Sequence, residues 1–459
     1  MMRRNRRTAL RLLVVLALLA ASAACLGGSS DRRGLTILTP WTADAEKDSF
    51  QAVIDAFQER NPDITVHASP IRALDQVLRS GVQQGEEPDL AVMPNPGALR
   101  SYAQQHALVP LDGFRDEALG RELVERLNSD YSPQWNLLGK AGTDHPYAVV
   151  VKASVKSLIW YNPQRLTPRP PDSWAGLVTV GQALAQRGET PWCLAVADPP
   201  NSGWPGTDWI EDILLHQSGA DTYEQWVGGE LGWTSAPVTT AWQTWGQSVT
   251  AQGALHGGPL TALLTRYGEG ARPLFTAPPG CYLAHGAPVT PDPGAATGAA
   301  PETDYDFVPF PEFRPTPTPA YEVSGDLVAM FRDSPAAERF MAFLASPDAQ
   351  QIWPGRQPES AFSVNRTIAE RTVSRDRPGS IARRIHALLT SPATLCFDAS
   401  DSMPSTMAAA FNRAVLDYLN APARLPSILT ELDQVRVAAR QQQPQGSACA
   451  SRPPGQEAK

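Results

Sequence analysis

Histidine is scarce in this 459-residue chain, and the seven present (His67, His106, His145, His216, His256, His285 and His386) show no metal-ligand spacing. There is no HExxH, no GxSxG, no GxxxxGK[ST], and no GxGxxG after a strand, so zincin, serine-hydrolase and nucleotide-cradle chemistry find no support. Five cysteines occur without a CxxC, which removes the zinc-ribbon and thioredoxin readings. Basic residues are outnumbered, 39 Lys and Arg against 47 Asp and Glu, for a formal net charge of −8. A nucleic-acid binder would show the opposite balance or a basic stripe. No apolar run reaches the ~20 residues that span a bilayer. No internal repeat is visible. Neither a cofactor nor a metal is expected.

What the chain does have begins with a leader. Arg3, Arg4, Arg6, Arg7 and Arg11 precede a ten-residue apolar run, Leu12 to Ala21. Ala21-Ser22-Ala23-Ala24 then leads into Cys25, a pattern similar to a bacterial lipobox, in which the cysteine becomes the acylated N-terminus after cleavage. An ordinary signal peptide ending near a cysteine is the alternative. Removing residues 1–24 takes away five arginines and no acid, so the formal charge falls from −8 to −13. Such a charge works against adhesion to anionic lipid, so a membrane-held form would depend on the acyl chain. Residues 25–34, polar and glycine-rich, suit a tether.

From Leu35 the hydrophobic pattern alternates. Leu35 to Pro40 reads as a buried strand, Phe50, Val53, Ile54 and Phe57 as a helix face, Ile64 to Val66 as a strand, Leu74, Val77, Leu78 and Val82 as a second helix face, and Asp89 to Met93 as a third strand. Thr42 is the expected N-cap of the first helix. Strands alternating with helices argue for an α/β fold with a mostly parallel sheet, and ligands bind such sheets at the carboxyl ends of the strands. That places Trp41, Thr42 and Asn95 on a functional edge. A strand at Asp306 to Val308 lies in a Pro- and Ala-rich region, another is expected at Val328 to Phe331, and Ile381 to Arg440 reads as largely helical.

Nine of the twelve tryptophans fall between Trp160 and Trp245. Sugars present flat C–H faces rimmed by hydroxyls, so their sites combine aromatic platforms with planar polar groups. Asn201 to Trp209 offers two tryptophans, an Asn and an Asp on a glycine-rich loop entering a helix. Asp208, Glu211 and Asp212 follow closely; a solvated acidic helix start accounts for them without function. Acids are numerous enough that a glycoside hydrolase stays open by counting alone.

Eleven stretches in series resemble bacterial extracellular solute-binding proteins of the sugar type, the receptors of ATP-driven importers, and most of all the α-glucoside-binding branch. Among them are PWTADAEKDSFQAVIDAFQERNPDITV (40–66), PDLAVMPNPGALRSYA (88–103), VKSLIWYNP (155–163), SGWPGTDWIEDILL (202–215), PPGCYLAHGA (278–287), SGDLVAMF (324–331) and FDASDSMP (397–404). The resemblance implies a two-lobe, type II periplasmic-binding-protein-like fold with the ligand in a cleft between the lobes. It implies lobe 1 at 35–148 plus 324–362, lobe 2 at 149–323 plus 363–445, and a disordered tail at 446–459. The chain would cross between lobes near 148–158, 320–324 and 362–365.

By position on these motifs, the cleft candidates are Trp41, Thr42, Asn95, Ser324, Gly325 and Asp326 from lobe 1 and Trp204, Asp208, Tyr282 and Asp401 from lobe 2. Trp160 and Tyr161 are further possibilities. The resemblance also implies a Cys193–Cys281 disulfide, which leaves Cys396 and Cys449 as the remaining pair. The expected protein is a monomeric receptor on the outer face of the cell membrane, anchored through Cys25. It performs no chemistry and hands a glucoside or short oligosaccharide to membrane permease subunits. A secreted glycoside hydrolase is the alternative.

Overall fold

The computed structural model describes residues 34–288, 299–358, 360–391, 393–439 and 448–450. The leader, Cys25 and the tether lie outside these residues. The chain opens as the pattern predicts: β1 (Gly34–Thr39), a helix at Asp44–Arg60, β2 (Thr65–Pro70), a helix at Leu74–Gln84, then β3 (Leu90–Met93). β1 pairs in parallel with both β2 and β3. β3 is buried at every residue, as a central strand covered on both faces must be. Phe50, Val53, Ile54 and Phe57 form the buried face of the first helix, as their spacing requires. Its N-cap is Ala43 rather than Thr42, and makes no side-chain capping bond. The Thr42 hydroxyl has another partner, described below.

The sheet is mixed rather than mostly parallel, because two long strands run against it. β4 (Ala148–Val155) pairs antiparallel with β8 (Ala320–Met330) from Ala148↔Ala329 to Val155↔Val323. The last four residues of β8 pair antiparallel with β3, and its first four run parallel to β9 (Thr394–Phe397). One 11-residue strand therefore belongs to two lobes at once. The expected strand at Val328 to Phe331 is only its end. β9 falls inside the stretch read as helical; its four residues, flanked by helices, are too few to show a period.

The remaining strands form a small antiparallel sheet in the order β6 (Leu283–His285), β5 (Leu158–Tyr161), β7 (Asp306–Pro309). Around it stands a helical body whose core is aromatic. Trp226 lies 4.9 Å from Trp233, Trp233 4.8 Å from Phe411, and Trp242 5.3 Å from Tyr418, measured between ring centroids. Trp160, Trp209, Trp226, Trp233, Trp242 and Trp245 are all fully buried. Most of the tryptophan concentration is therefore packing, where each ring removes a large apolar area from water.

Both cysteine pairs are joined, Cys193 to Cys281 and Cys396 to Cys449, with Cα separations of 5.5 and 3.9 Å. The second joins β9 to β10 (Cys449–Ala450), which pairs with it antiparallel. Of the tail expected to be disordered from 446, Ala448–Ala450 is thus held by a strand and a disulfide; the rest lies outside the described residues. Among the described residues, no helix is long and apolar enough to cross a membrane.

Candidate functional site

Two walls face each other where β4 and β8 pass between the lobes. The first is built on β1, β4 and β8. Trp41, two residues after β1, donates from Nε1 to Asp326 Oδ2 (2.9 Å) and packs in an aromatic group with Phe50 (4.9 Å) and Trp353 (4.5 Å). Asp326 sits on β8 opposite Lys152 of β4, whose Nζ reaches Glu46 Oε1 (2.6 Å), approaches Asp326 (3.7 Å) and lies over the Trp353 ring. Trp41 is almost fully buried, so it supports this wall more than it presents a face. Ser324 and Gly325 precede Asp326 on the same strand. A Cβ on Gly325 would stand 3.0 Å from the Trp135 ring, which accounts for the glycine by packing.

The second wall is the start of the helix Trp204–Ser218. Gly203 adopts φ 115°, and a Cβ there would lie 2.1 Å from the Asn412 carbonyl oxygen, so only glycine lets the chain turn into the helix at this point. The turn leaves Trp204 partly exposed at the helix tip, while Trp209 goes into the core. Lys156 Nζ lies 4.6 Å from the Trp204 ring centroid, Tyr267 packs at 4.3 Å, and Trp204 Nε1 donates to Asp198 Oδ2 (3.1 Å). Aromatic face, cation and carboxylate are thus combined around one ring.

Asp208, Glu211 and Asp212 are not a solvated helix start. All three are at most 1% exposed. Lys156, just past β4, donates to Asp208 Oδ2 (2.8 Å) and to Asp398 Oδ2 (2.9 Å), joining the helix to the loop after β9. Burial raises the Asp208 carboxyl to about 7 in spite of Lys156. Burial acts on Asp398 too, yet Lys156 and the Asp401 amide hold that carboxyl below its ordinary value. The two differ because Asp398 Oδ1 also accepts from Ser400 Oγ (2.8 Å) and Asp401 N (2.9 Å), bonds that Asp208 lacks. For Lys156, burial opposes the charge, but the carboxylates outweigh it and the ammonium is firmly protonated. Burial pushes the Asp401 carboxyl well upward, with Asp398 adding to the effect.

The walls touch. Arg72, after β2, donates to Asp198 Oδ1 (2.6 Å), to the Pro199 carbonyl (3.3 Å) and to the Thr42 hydroxyl (3.3 Å). Asp198 in turn holds Trp204, so one chain of contacts runs from Thr42 across the cleft to the tryptophan. Beside it, the helix Pro96–Gln104 begins at Asn95, whose Oδ1 accepts from Ala98 N (2.9 Å). Its Gly97 abuts the second wall: an added Cβ would sit 2.3 Å from the Met403 carbonyl oxygen.

The structure therefore brings together Trp41 with Asp326, Thr42 with Arg72, and Trp204 with Asp208 and Asp401 through Lys156 and Asp398. It does not bring Tyr282 to them, because the Tyr282 hydroxyl donates to Glu189 Oε1 (2.7 Å). Trp160 is core, its Nε1 donating to the Gly286 carbonyl, and Tyr161 is buried beside it in β5. Sequence reasoning missed Lys156, Asp398, Arg72, Asp198 and Tyr267. Only Lys156 carried a signal, as a lone charge within the apolar run from Val155 to Tyr161.

A buried ion network beneath one partly exposed tryptophan is an arrangement for binding. Asp208 and Asp398, tied to one ammonium, are poorly placed to serve as acid and base on a glycosidic bond. Two α/β lobes joined by crossing strands, with a ligand cleft between them, define a type II periplasmic-binding-protein-like receptor. The profile described as "Bacterial extracellular solute-binding protein" matches residues 43–351, and the chain belongs to that family. It is a family of transport receptors, not of enzymes.

Among its relatives is the osmoprotective compounds-binding protein GgtB of Synechocystis sp., 30% identical over 403 residues, covering 86% of this chain and 90% of the relative. Another is the alpha-glucosides-binding periplasmic protein AglE of Rhizobium meliloti, 30% identical over 400 residues, covering 84% and 83%. Of solved structures, a chitin oligosaccharide binding protein superposes with TM-score 0.73 at 14% identity, covering 89% of this chain and 99% of that one. The solute receptor AcbH does so with TM-score 0.70 at 16% identity, covering 89% and 98%.

Proposed function

We propose that the protein captures a glucoside or short oligosaccharide between its lobes and delivers it to the membrane permease subunits of an ATP-driven importer. The observation that carries this reading is the partly exposed Trp204 ring at the cleft, with Lys156, Asp198 and Tyr267 around it and Arg72 and Thr42 opposite. A pyranose face stacks on such a ring while its hydroxyls meet guanidinium and carboxylate. Kinship to an alpha-glucosides-binding protein favours α-linked glucose units. In this reading Trp204, Asp208, Asp326, Thr42, Trp41 and Asp401 shape the cleft, with Ser324, Gly325 and Asn95 as backbone supports. The lobes are 35–148 plus 324–362 and 149–323 plus 363–445.

Calorimetry against maltose, trehalose and longer α-glucans tests the reading. A bound sugar at 100 times its dissociation constant stabilises the fold by about 2.7 kcal/mol, which thermal unfolding detects. The sugar should be recovered intact. Hydrolysis, or the absence of binding heat with every carbohydrate tried, would remove the proposal.

Lobe closure makes a separate expectation. In Gly97→Ala the new methyl must push against the Met403 and Ser402 carbonyls, at 2.3 and 2.9 Å, before any flexible atom gives way. The lobes should then close less completely, and sugar affinity should fall by roughly threefold to tenfold, on the order of 1 kcal/mol. Small-angle scattering of the sugar-bound variant should show a larger radius of gyration than the parent. Equal radii and equal affinities would mean that this contact does not accompany closure.

We further propose that Cys25 is the lipidated residue and that the protein works as a monomer on the outer face of the membrane. Cys25→Ala should move the protein from the membrane to the soluble fraction with ligand affinity unchanged. Anchoring that survives the substitution would overturn this part.

A further inference from the structure

Five carboxylates are buried where the crossing strand β8 meets the helix Trp204–Ser218 and the loop after β9: Asp208, Glu211, Asp212, Glu322 and Asp398. Three of them have partners enough. Glu211 accepts from the Ala399 and Ser400 amides at 2.6 and 3.2 Å. Asp212 accepts from the Ser157 hydroxyl and has His285 Nε2 2.6 Å from its other oxygen. Asp398 accepts from Lys156 Nζ on one oxygen and from Ser400 Oγ and the Asp401 amide on the other. Asp208 and Glu322 are left short. Lys156 occupies one oxygen each of Asp208 and Asp398. Asp208 Oδ1 and both oxygens of Glu322 have no hydrogen-bonding partner among the described residues. Glu322 is 0% exposed, so these oxygens have lost water and received nothing in return.

Asp208, Glu322 and Asp398 can each bring one oxygen within 4.8 Å of the others'. Counted as ionised, these three carboxylates against the one Lys156 ammonium carry a formal charge of −2. Carboxylate oxygens are hard ligands, and irregular sets of them suit Ca²⁺, which tolerates variable geometry, better than Mg²⁺, which demands near-ideal octahedra. We infer that Asp208, Glu322 and Asp398 form a buried site for a divalent cation of the calcium class. The ion would pin three separate segments together: β8, the helix that carries Trp204, and the start of the short helix Ala399–Ser402, which Asp398 caps. It would thereby set the second wall of the cleft against the crossing strand. The inference does not depend on the identity of the sugar, and metal binding and sugar binding are read separately.

The test uses the full mature chain, stripped with chelator and checked for residual metal by mass spectrometry. Adding Ca²⁺ should raise the unfolding temperature by about 2–5 °C at saturation. Tb³⁺ should show tryptophan-sensitised emission, since Trp204 and Trp209 lie on the same helix as Asp208, and Ca²⁺ should quench it competitively. Glu322→Gln keeps the side-chain volume and removes one ligand charge; it should weaken both responses at least tenfold. If that variant fails to fold, Asp208→Asn serves in its place. Identical melting with and without Ca²⁺, or Tb³⁺ emission that persists in the folded variant, would overturn the site. So would a parent protein indifferent to Ca²⁺ whose Glu322→Gln variant is more stable, which would mean that a proton neutralises Glu322.

Discussion

Trp204→Ala is expected to weaken sugar binding by tenfold to a hundredfold while leaving the unliganded protein close to its original melting temperature. The ring is partly exposed at a helix tip, and its neighbours are the Lys156 ammonium at 4.6 Å and the Tyr267 ring at 4.3 Å. Stacking a pyranose on it removes apolar area from water at about 25 cal/mol per Å², which reaches a few kcal/mol for one sugar face. Each 1.4 kcal/mol is a factor of ten in affinity. Truncation leaves no sealed core cavity, because the site already opens to solvent. Calorimetric titration and thermal unfolding of the apo protein, run on the same preparation, check the two halves. A variant that melts many degrees lower yet binds sugar normally would return Trp204 to the core.

Lys156→Met should have the opposite signature. Its ammonium is the cation that bridges Asp208 and Asp398, and all three groups are buried. Methionine fills the same volume but leaves two carboxylates without their counter-charge. Breaking a buried ion pair in this way costs about 3–5 kcal/mol. Denaturant unfolding in the presence of chelator, so that no added cation substitutes for the ammonium, measures the loss. Adding Asp398→Asn to the variant should recover part of it, because the second substitution removes one of the orphaned charges. A Lys156→Met protein as stable as its parent would mean that the crossing segments are held by packing alone.

The two variants separate a surface on which a ligand rests from the frame behind it. Trp204 and Lys156 touch, so the same contact should appear in an affinity from one side and in a stability from the other.

Local pattern was enough for much of this protein. The alternation of Leu35, Ile37 and the i, i+3, i+4, i+7 face of Phe50 to Phe57 determined the first βα unit, because each period matches one way of burying a stripe. The small residues before Cys25 and the serial motifs pointed to an exported solute receptor, and Gly203-Trp204-Pro205 marked a ring held at a turn. Tertiary structure decided the rest. Whether Asp208 to Asp212 met water or the interior depended on Lys156, distant in sequence, and charge run alone carries no depth. Trp41 and Trp204 look alike as strand-end or loop tryptophans, but Phe50 and Trp353 close over the first, and the second is left at the cleft. Tyr282 sat in a matching motif and still turned to Glu189. Thr42, Arg72 and Asp198 lie up to 156 positions apart, and their chain of contacts exists only because β4 and β8 bring two lobes face to face. Sequence determines which segments can bury a stripe; which charges meet across a cleft is determined by the crossing strands, since pairing at long range leaves no period to read.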